Sequence, residues 1–406
     1  MKMKKNNLLI LAVAALGFAA CSSDETTAVN EKLAESNAIS FRANVNGQMR
    51  DANAAGVKTT PWVANDKIYV NAIRTVSSTP SMYFQSEFDY TTTEPAGFYS
   101  TNKYYWPADI ATNNIYFTAF WGVPYKTVSS ATQYSAYVAK DEFKLNGAYT
   151  VADAVSSQMD ILYAQSAAIS SKPAGGGVVL NFRHMLSQIV VQVANDQANL
   201  AINITGVKVG NAKETGTFQY ISGTSDPEPA TTGIGKINKG SWTAQTNPQT
   251  YTQASTATMS GTVASQTLGT FTPMILMPQQ LTAADAYNAV NPSPTAITED
   301  TEPAVNGSYI ALQMAITDKN SGVTIVAKQW CVWPIATEWQ PGYKYTYTVN
   351  AGSGGYHPID RDNNLDLDPV FDNAFIWFTP ECTIDAWTDF DGNDTVDGTQ
   401  PINVPF

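Results

Sequence analysis

Apolar and polar residues alternate in short stretches along most of the chain, which is the pattern of half-buried β-strands. Val, Ile, Thr, Tyr, Phe and Trp dominate these stretches, and Gly, Pro, Asn and Ser separate them. No stretch keeps the 3.6-residue period of a long amphipathic helix. The chain is therefore predicted to be all-β. The clearest predicted strands are residues 67–73, 114–121, 178–194, 201–209, 271–277, 309–316, 323–332, 343–349 and 375–379.

The chain is longer than one hydrophobic core usually supports, since it has 406 residues. The stretches 167–177 and 223–258 are rich in Ser, Thr, Gly and Pro and are predicted to be loops. An apolar strand follows the first of them directly. We therefore divide the chain into an N-terminal domain of residues 39–177 and a C-terminal domain of residues 178–406. Two β-sandwiches in tandem are the expected architecture.

Residues 1–20 have the features of a signal peptide: a basic start and an apolar run, 8–18, shorter than the roughly 20 residues that span a bilayer. Small residues precede Cys21, whose thiol can accept diacylglycerol. We therefore predict a lipoprotein that is cleaved before Cys21 and anchored in the outer membrane by acyl chains such as palmitate. A plain secretory cleavage is the alternative, because Phe18 stands where such signals usually have Leu. Residues 21–38 are polar and are predicted to be a flexible tether.

The formal net charge is −12, and removal of the signal peptide takes away lysines but no acids. A protein this acidic does not bind nucleic acid or anionic lipid through general electrostatics. No nucleic-acid partner is therefore predicted.

Two cysteines, Cys331 and Cys382, remain besides Cys21. Both lie in strand-like segments, and a secreted protein is in a compartment where disulfides persist. The sequence does not place their Cα atoms within bonding range. The sequence is therefore compatible both with a disulfide between these two cysteines and with two free thiols.

Catalysis by histidine has few candidate residues, because His184 and His357 are the only histidines. His184 lies among apolar residues and is predicted to be a hydrogen-bonded core imidazole. The sequence contains no phosphate-binding loop, nucleophile elbow, His-Glu-x-x-His or Cys-x-x-Cys motif. An enzyme whose catalysis relies on two carboxylates alone is the alternative that the sequence leaves. We predict no enzyme and no cofactor.

Two acidic runs, 360–368 and 389–397, carry Asp and Asn at alternate positions, which suits Ca²⁺. The first run lacks the glycine and the glutamate of an EF-hand loop. We therefore predict solvated loops and no metal site.

A succession of short motifs runs through nearly the whole chain. In order these are ISF (39–41), NDKIYV (65–70), KYYWP (103–107), IYFTAF (115–120), DILYA (160–164), LNFRHMLS (180–187), GTF (216–218), LMPQ (276–279), WQPGYKYTY (339–347) and IDAW (384–387). In this order they resemble the fimbrillin family, the subunits of type V pili and related surface lipoproteins. The resemblance implies two transthyretin-like β-sandwich domains in tandem, with other pilin subunits as partners.

The resemblance also implies a mode of assembly. In this family a maturation protease removes the first strand of the N-terminal domain, and a strand of the next subunit fills the groove. Here the first predicted strand has one apolar face, made by Ile39, Phe41, Ala43 and Val45. Its removal would expose an apolar groove.

Cleavage in the family follows an arginine, and Arg50 stands just past this strand in the polar stretch 47–53, which is predicted to be a turn with an unpaired backbone that a protease can reach. Residues 39–50 would then be removed. Arg42 is the competing site, but it lies within the predicted strand, where pairing would protect it. In the alternative interpretation Arg50 is one more surface charge of an intact monomer.

Residues 399–406 are a candidate donor strand. Ile402, Val404 and Phe406 alternate with Asn403 and Pro405, so three apolar side chains could enter pockets of a neighbouring groove. The prolines limit the segment to an edge or to hydrogen bonding on one side. The alternative is an end strand that folds onto its own domain.

The sequence thus predicts a structural subunit or accessory of a type V-like fimbria on the outer membrane, supporting cell adhesion. A stand-alone lipoprotein that binds a glycan or a host ligand is the alternative.

Overall fold

The computed structural model describes residues 37–45, 50–51, 56–57, 62–93, 95–122, 127–128, 131–132, 143–144, 148–166, 168–173, 177–220, 240–261, 266–288, 297–371 and 380–386. Within these ranges the regular structure is strand, apart from 3₁₀ turns at Val155–Ser157 and Ala351–Ser353. The predicted all-β fold is confirmed. No helix in this part of the chain has the length and the apolar character needed to cross a bilayer.

The first unit is a sheet of seven strands that closes on itself, here called the barrel. Its strands are β1 (Phe41–Val45), β4 (Lys67–Val76), β5 (Thr79–Thr91), β6 (Gly97–Tyr99), β7 (Ile115–Trp121), β12 (Leu162–Gln165) and β13 (Val178–His184). The order around the barrel is β1-β13-β12-β7-β4-β5-β6, and β6 pairs with β1 to close it. Two short ribbons accompany the barrel: β2 (Arg50–Asp51) with β3 (Gly56–Val57), and β8 (Thr127–Val128) with β9 (Ala131–Thr132).

The second unit is a sandwich of two sheets. The six-stranded sheet contains β10 (Phe143–Lys144), β11 (Tyr149–Thr150), β15 (Leu200–Tyr220), β16 (Gly240–Gly261), β19 (Tyr309–Asp318) and β20 (Thr324–Pro334). The five-stranded sheet contains β14 (Ser187–Asn195), β17 (Gln266–Thr270), β18 (Met274–Leu276), β21 (Tyr343–Asn350) and β22 (Glu381–Ala386). Side chains from both sheets, such as Ile189 of β14 and Val207 of β15, share one hydrophobic core.

The outer face of the barrel is buried where it packs on the second unit. Strand β7 is buried along its whole length: Phe117 and Ala119 belong to the barrel core, whereas Phe120 belongs to the core of the sandwich. Tyr69 of β4 makes the same outward contribution. Because both faces of these strands are covered, their apolar residues run almost without alternation.

The predicted domain boundary at residue 177 falls directly before β13, which pairs within the barrel. The stretch 178–194 was expected to be one strand of the C-terminal domain, but its first part is β13 of the barrel and its second part is β14 of the sandwich. The change occurs at Met185, whose N–H donates to Ile161 O at 2.9 Å, and Leu186, whose carbonyl accepts from Gly342 N at 2.9 Å. The run contains no Gly or Pro, so no such turn residue marks the change of sheet.

The loop predicted at 223–258 is wrong over its second half. Strand β16 pairs with β15 antiparallel along a long ladder with several bulges, and it buries Trp242 and Tyr251. Its Thr-rich sequence has the propensity for a strand, and the partner strand supplies the pairing. Residues 221–239 and the strand predicted at 375–379 lie outside the described residues.

Candidate functional site

The start of β1 and the residues that lead into it have one buried face. Ile39 is 3% exposed and Phe41 is 1% exposed. Arg42, which points to the opposite face, is exposed. Ala43 packs partly buried against the same core. The predicted alternation is therefore confirmed over residues 39–43. The side chain of Val45 lies outside the described side chains.

Phe41 is the main contact of β1 with the barrel interior. Its ring meets Phe88 of β5 edge to face with centroids 4.8 Å apart, and Phe117 of β7 edge to face at 5.0 Å. Edge-to-face pairs are a favoured aromatic geometry. One residue of β1 thus connects two strands on the other side of the core.

The backbone of β1 is held unequally on its two sides. On one side it pairs parallel with β13 over five positions, from Phe41 opposite Val178 onwards. On the other side its only ladder pair among the described residues joins Phe41 to Phe98 of β6. Beyond that pair the indole N–H of Trp62 donates to the carbonyl of Ala43 at 2.8 Å. We call the β1–β6 junction the seam of the barrel.

The residues that lead into β1 run along the segment 104–106. Ile39 N donates to Tyr104 O at 2.7 Å, and Trp106 N donates to Asn37 O at 3.3 Å. At the seam itself the strands are very close, because a Cβ at Gly97 would lie 2.7 Å from the carbonyl oxygen of Phe41. Glycine is therefore required where β6 closes the barrel.

Arg50 lies in a paired segment and not in the unpaired turn that was expected. Its backbone is opposite Val57, and Asp51 is opposite Gly56, in the ribbon of β2 and β3. Arg42, the competing position, is opposite Val179 within the longer ladder of β1 and β13. Each of the two arginines thus belongs to a ladder, and that of Arg50 is the shorter one.

The other predicted site residues lie outside the described residues. These are the lipidation site Cys21, the candidate donor residues Ile402, Val404 and Phe406, and the acidic run 389–397.

The two cysteines lie on different sheets and do not form a disulfide. Cys331 lies buried in β20 of the six-stranded sheet, and Cys382 lies partly buried in β22 of the five-stranded sheet. Burial raises the pKa of the Cys331 thiol well above its ordinary value, which keeps this thiol protonated and unreactive.

His184 is a buried, hydrogen-bonded imidazole. Its Nδ1 lies 2.7 Å from Oδ2 of Asp160, and both side chains are almost fully buried. Burial raises the pKa of Asp160, and the neighbouring His184 opposes that shift. The pair stands where the barrel meets the sandwich, since Ile161, directly after Asp160, belongs to the sandwich core. Sequence reasoning missed Asp160, although a lone acid inside the apolar motif 160–164 was the available signal.

The acidic loop 360–368 is organised by its own backbone. Oδ1 of Asp360 accepts from Asn363 N at 2.7 Å, and Oδ2 accepts from Leu365 N at 3.0 Å. Burial opposes ionisation there, but the backbone N–H groups outweigh it and lower the pKa of Asp360. Asp360, Asp362 and Asp368 place carboxylate oxygens within 4.8 Å of one another. The loop backbone thus accounts for the position of Asp360, whether or not a cation binds.

The chain was compared with known protein families, curated protein sequences and solved structures. The fimbrillin-like family model matches residues 52–365. No curated protein sequence matches the chain. One similar solved structure is a proposed cell adhesion protein of Bacteroides ovatus, with 14% identity, a TM-score of 0.41 and coverage of 78% of this chain and 93% of the other.

Two others come from Porphyromonas gingivalis. The tip fimbrial protein Mfa3 has 8% identity and a TM-score of 0.34, with coverage of 84% of this chain and 99% of the other. The fimbrial anchor protein Mfa2 has 10% identity and a TM-score of 0.29, with coverage of 86% and 98%. The family model carries the assignment, because it spans most of both units described above. The chain belongs to the fimbrillin-like family.

Proposed function

We propose that this protein is a structural subunit or accessory of a type V-like fimbria, assembled by strand exchange and supporting cell adhesion. Family membership supports a fimbrial or adhesive role at the cell surface. The observation that carries the finer proposal is the position of β1. This strand and the residues that lead into it bury Phe41 and Ile39 in the barrel core, yet the strand is held by a full ladder on one side only.

Loss of β1 would leave the barrel incomplete. Burial of a large apolar side chain contributes about 1.5–3 kcal/mol, so exposing the sites of Ile39 and Phe41 would cost several kcal/mol. The edge of β13 would also lose its pairing partners. An incoming strand that restores both the pairing and the apolar contacts would be strongly favoured, and this drives assembly.

Arg50 is the proposed cleavage site of a maturation protease. The ribbon that holds its backbone has two residue pairs, and a two-stranded ribbon of this size is marginally stable in water. A protease can therefore open it at small cost. Arg42 lies in the longer ladder with β13 and is better protected.

Residues 399–406 are the proposed donor strand, with Ile402, Val404 and Phe406 as the apolar side chains that enter the groove of the next subunit. The alternation of these residues matches that of the buried face of β1. The partners are thus other pilin subunits. The proposed anchor is an acylated Cys21 in the outer membrane. This role requires neither catalysis nor a cofactor.

A glycan-binding lipoprotein is less well supported. Such a protein would present aromatic side chains at its surface. Every tryptophan of the described residues is buried, including Trp62 and Trp106 of the barrel, and the exposed aromatic side chains in this part of the chain are tyrosines such as Tyr83 and Tyr105.

The test is to isolate the protein shed from the cell surface and to determine both its first residue and its assembly state. We expect a start at Asp51 and polymers that survive mild denaturant. Deletion of residues 399–406 should abolish the polymers and leave the melting temperature of the monomer nearly unchanged. Monomers that start at Cys21 would overturn the proposal.

A further inference from the structure

We propose that the cleft beside the start of β1 is a docking site for residues 389–406 of a second copy, which bind there before β1 leaves the barrel. This inference rests on the strand exchange proposed above. It assigns the first contact between the two copies to a defined surface.

The cleft lies at the seam of the barrel and has a volume of about 510 Å³. Its apolar walls include Pro95 and Tyr99 from the β5–β6 side, Trp106 and Pro173. The backbone around Ile39, where the chain enters β1, lines the same space. A chain bound in the cleft is therefore already in contact with the strand that it is to replace.

The seam is the side of β1 with fewer ladder pairs among the described residues. Towards β13 the strand has five paired positions, but towards β6 the described ladder has one, at Phe41 and Phe98. Gly97 leaves no room at that pair, so the available space lies before it, at residues 38–40. Replacement from this end would proceed position by position. Each step would expose little of the core, whereas release of the whole strand at once would expose all of it.

The charge of the cleft matches that of the proposed occupant. Lys103 and Lys172 line the cleft and are exposed. Residues 389–406 contain four aspartates and no lysine or arginine, and the aspartates all precede the apolar residues from Pro401 onwards. The apolar part can thus contact the aromatic and proline walls while the acidic part lies near the lysines. Opposite charges of this kind also speed the encounter of the two copies.

The test uses the full, uncleaved chain and a labelled synthetic peptide of residues 389–406. We expect the peptide to bind, and to bind more weakly as salt is added. Thr93 is exposed and lines the cleft, so Thr93→Trp fills the space. It should weaken peptide binding by at least about tenfold. Thr79→Trp is the matched control, because Thr79 is exposed at the opposite end of β5, and it should leave binding unchanged.

A second experiment tests the contribution of charge to peptide binding without filling the cleft. It changes one lysine of the protein and the aspartates of the peptide. Lys172→Glu should weaken binding of the natural peptide. It should not weaken binding of a peptide in which the four aspartates are replaced by asparagine. The melting temperature of each variant shows whether it folds. If Thr93→Trp fails to fold, Lys172→Glu provides the test, and if Lys172→Glu fails to fold, Thr93→Trp provides it.

The outcomes separate this inference from the proposed function. If arginine-specific cleavage yields polymers but the uncleaved chain does not bind the peptide, or binds it equally well with Thr93→Trp, the docking site is wrong and strand exchange stands. If the peptide binds and Thr93→Trp blocks it, but cleaved protein never polymerises, the docking site stands and strand exchange is wrong. If neither occurs, both are wrong.

Discussion

Phe41 and Phe117 meet edge to face inside the barrel, with ring centroids 5.0 Å apart. Phe41 belongs to the first strand of the barrel, and Phe117 belongs to β7, whose outward-facing Phe120 packs into the core of the sandwich. The strand that we propose to be exchanged is therefore an integral part of the core. Any segment that replaces it has to supply a comparable contact for Phe117.

Phe41→Ala should destabilise the uncleaved barrel by about 3–5 kcal/mol, because it removes a buried aromatic ring and leaves a cavity. The measurement is chemical unfolding followed by the fluorescence of the buried tryptophans. Arg42→Ala is the control, since an exposed position on the same strand should change stability by no more than about 0.5 kcal/mol. Equal effects of the two substitutions would show that β1 does not contribute to the core.

The alternation at residues 39–43 was predictable because one face of β1 meets the core and the other meets solvent. Strands β4 and β7 could be predicted as strands, but not the packing of their outer faces. That burial depends on contacts of Tyr69 and Phe120 with a unit formed much later in the chain. Local periodicity carries no information about such contacts.

The position at which the chain passes from the barrel to the sandwich could not be predicted from the sequence either. Residues 178–194 were predicted to form one strand, yet β13 pairs within the barrel and β14 pairs within the sandwich. The pairing of His184 with Asp160 depends on the same folding back of the chain. For the candidate site, β1 was predictable from the sequence, and cleavage at Arg50 stays a prediction. The single ladder pair at the seam and the cleft beside it are visible only in the structure.

Arg50→Ala should keep the surface-released protein from being shortened. We expect the ribbon that contains Arg50 to open easily, but an arginine-specific protease needs the side chain as well as the exposed backbone. The first residue of the released chain is the measurement, and Arg42→Ala, which should still start at Asp51, is the control. If Arg50→Ala protein is still processed at Asp51, the proposed cleavage specificity is wrong.

Cys21→Ala should release the protein from the membrane fraction, because the thiol is the only proposed point of lipid attachment. Two acyl chains provide an effectively permanent anchor, at about 0.8 kcal/mol for each buried CH₂ group. Fractionation of cells followed by detection of the protein is the measurement. Cys382→Ala should remain in the membrane fraction. Retention of the Cys21→Ala protein there would contradict the lipoprotein prediction.

The acidic loop 360–368 should be stabilised by its own backbone and not by calcium. Asp360→Ala removes the acceptor for the N–H groups of Asn363 and Leu365 and should lower the melting temperature. Asp360→Asn keeps one acceptor oxygen and should lower it less. Neither Ca²⁺ nor a chelator should change the melting temperature of the unsubstituted protein. A rise with Ca²⁺ but not with Mg²⁺ would instead identify a calcium site.

The turn between β19 and β20 should lose stability in acid. The hydroxyl and the backbone N–H of Ser321 donate to Oδ1 of Asp318 at 2.7 Å and 2.6 Å, and these bonds lower the pKa of Asp318. Since the pKa is lower in the folded state, the contribution is present above the ordinary Asp pKa of about 3.9 and is lost as the pH falls through the folded value.

Asp318→Asn should therefore melt at a lower temperature than the unsubstituted protein at pH 7, and the difference should shrink as the pH is lowered to about 3. Asp300→Asn, at another exposed aspartate, is the control for the loss of one charge. Its difference from the unsubstituted protein should be small at both pH values. If the Asp318→Asn difference were the same at both pH values, the hydrogen bonds to Ser321 would not depend on the ionised carboxylate.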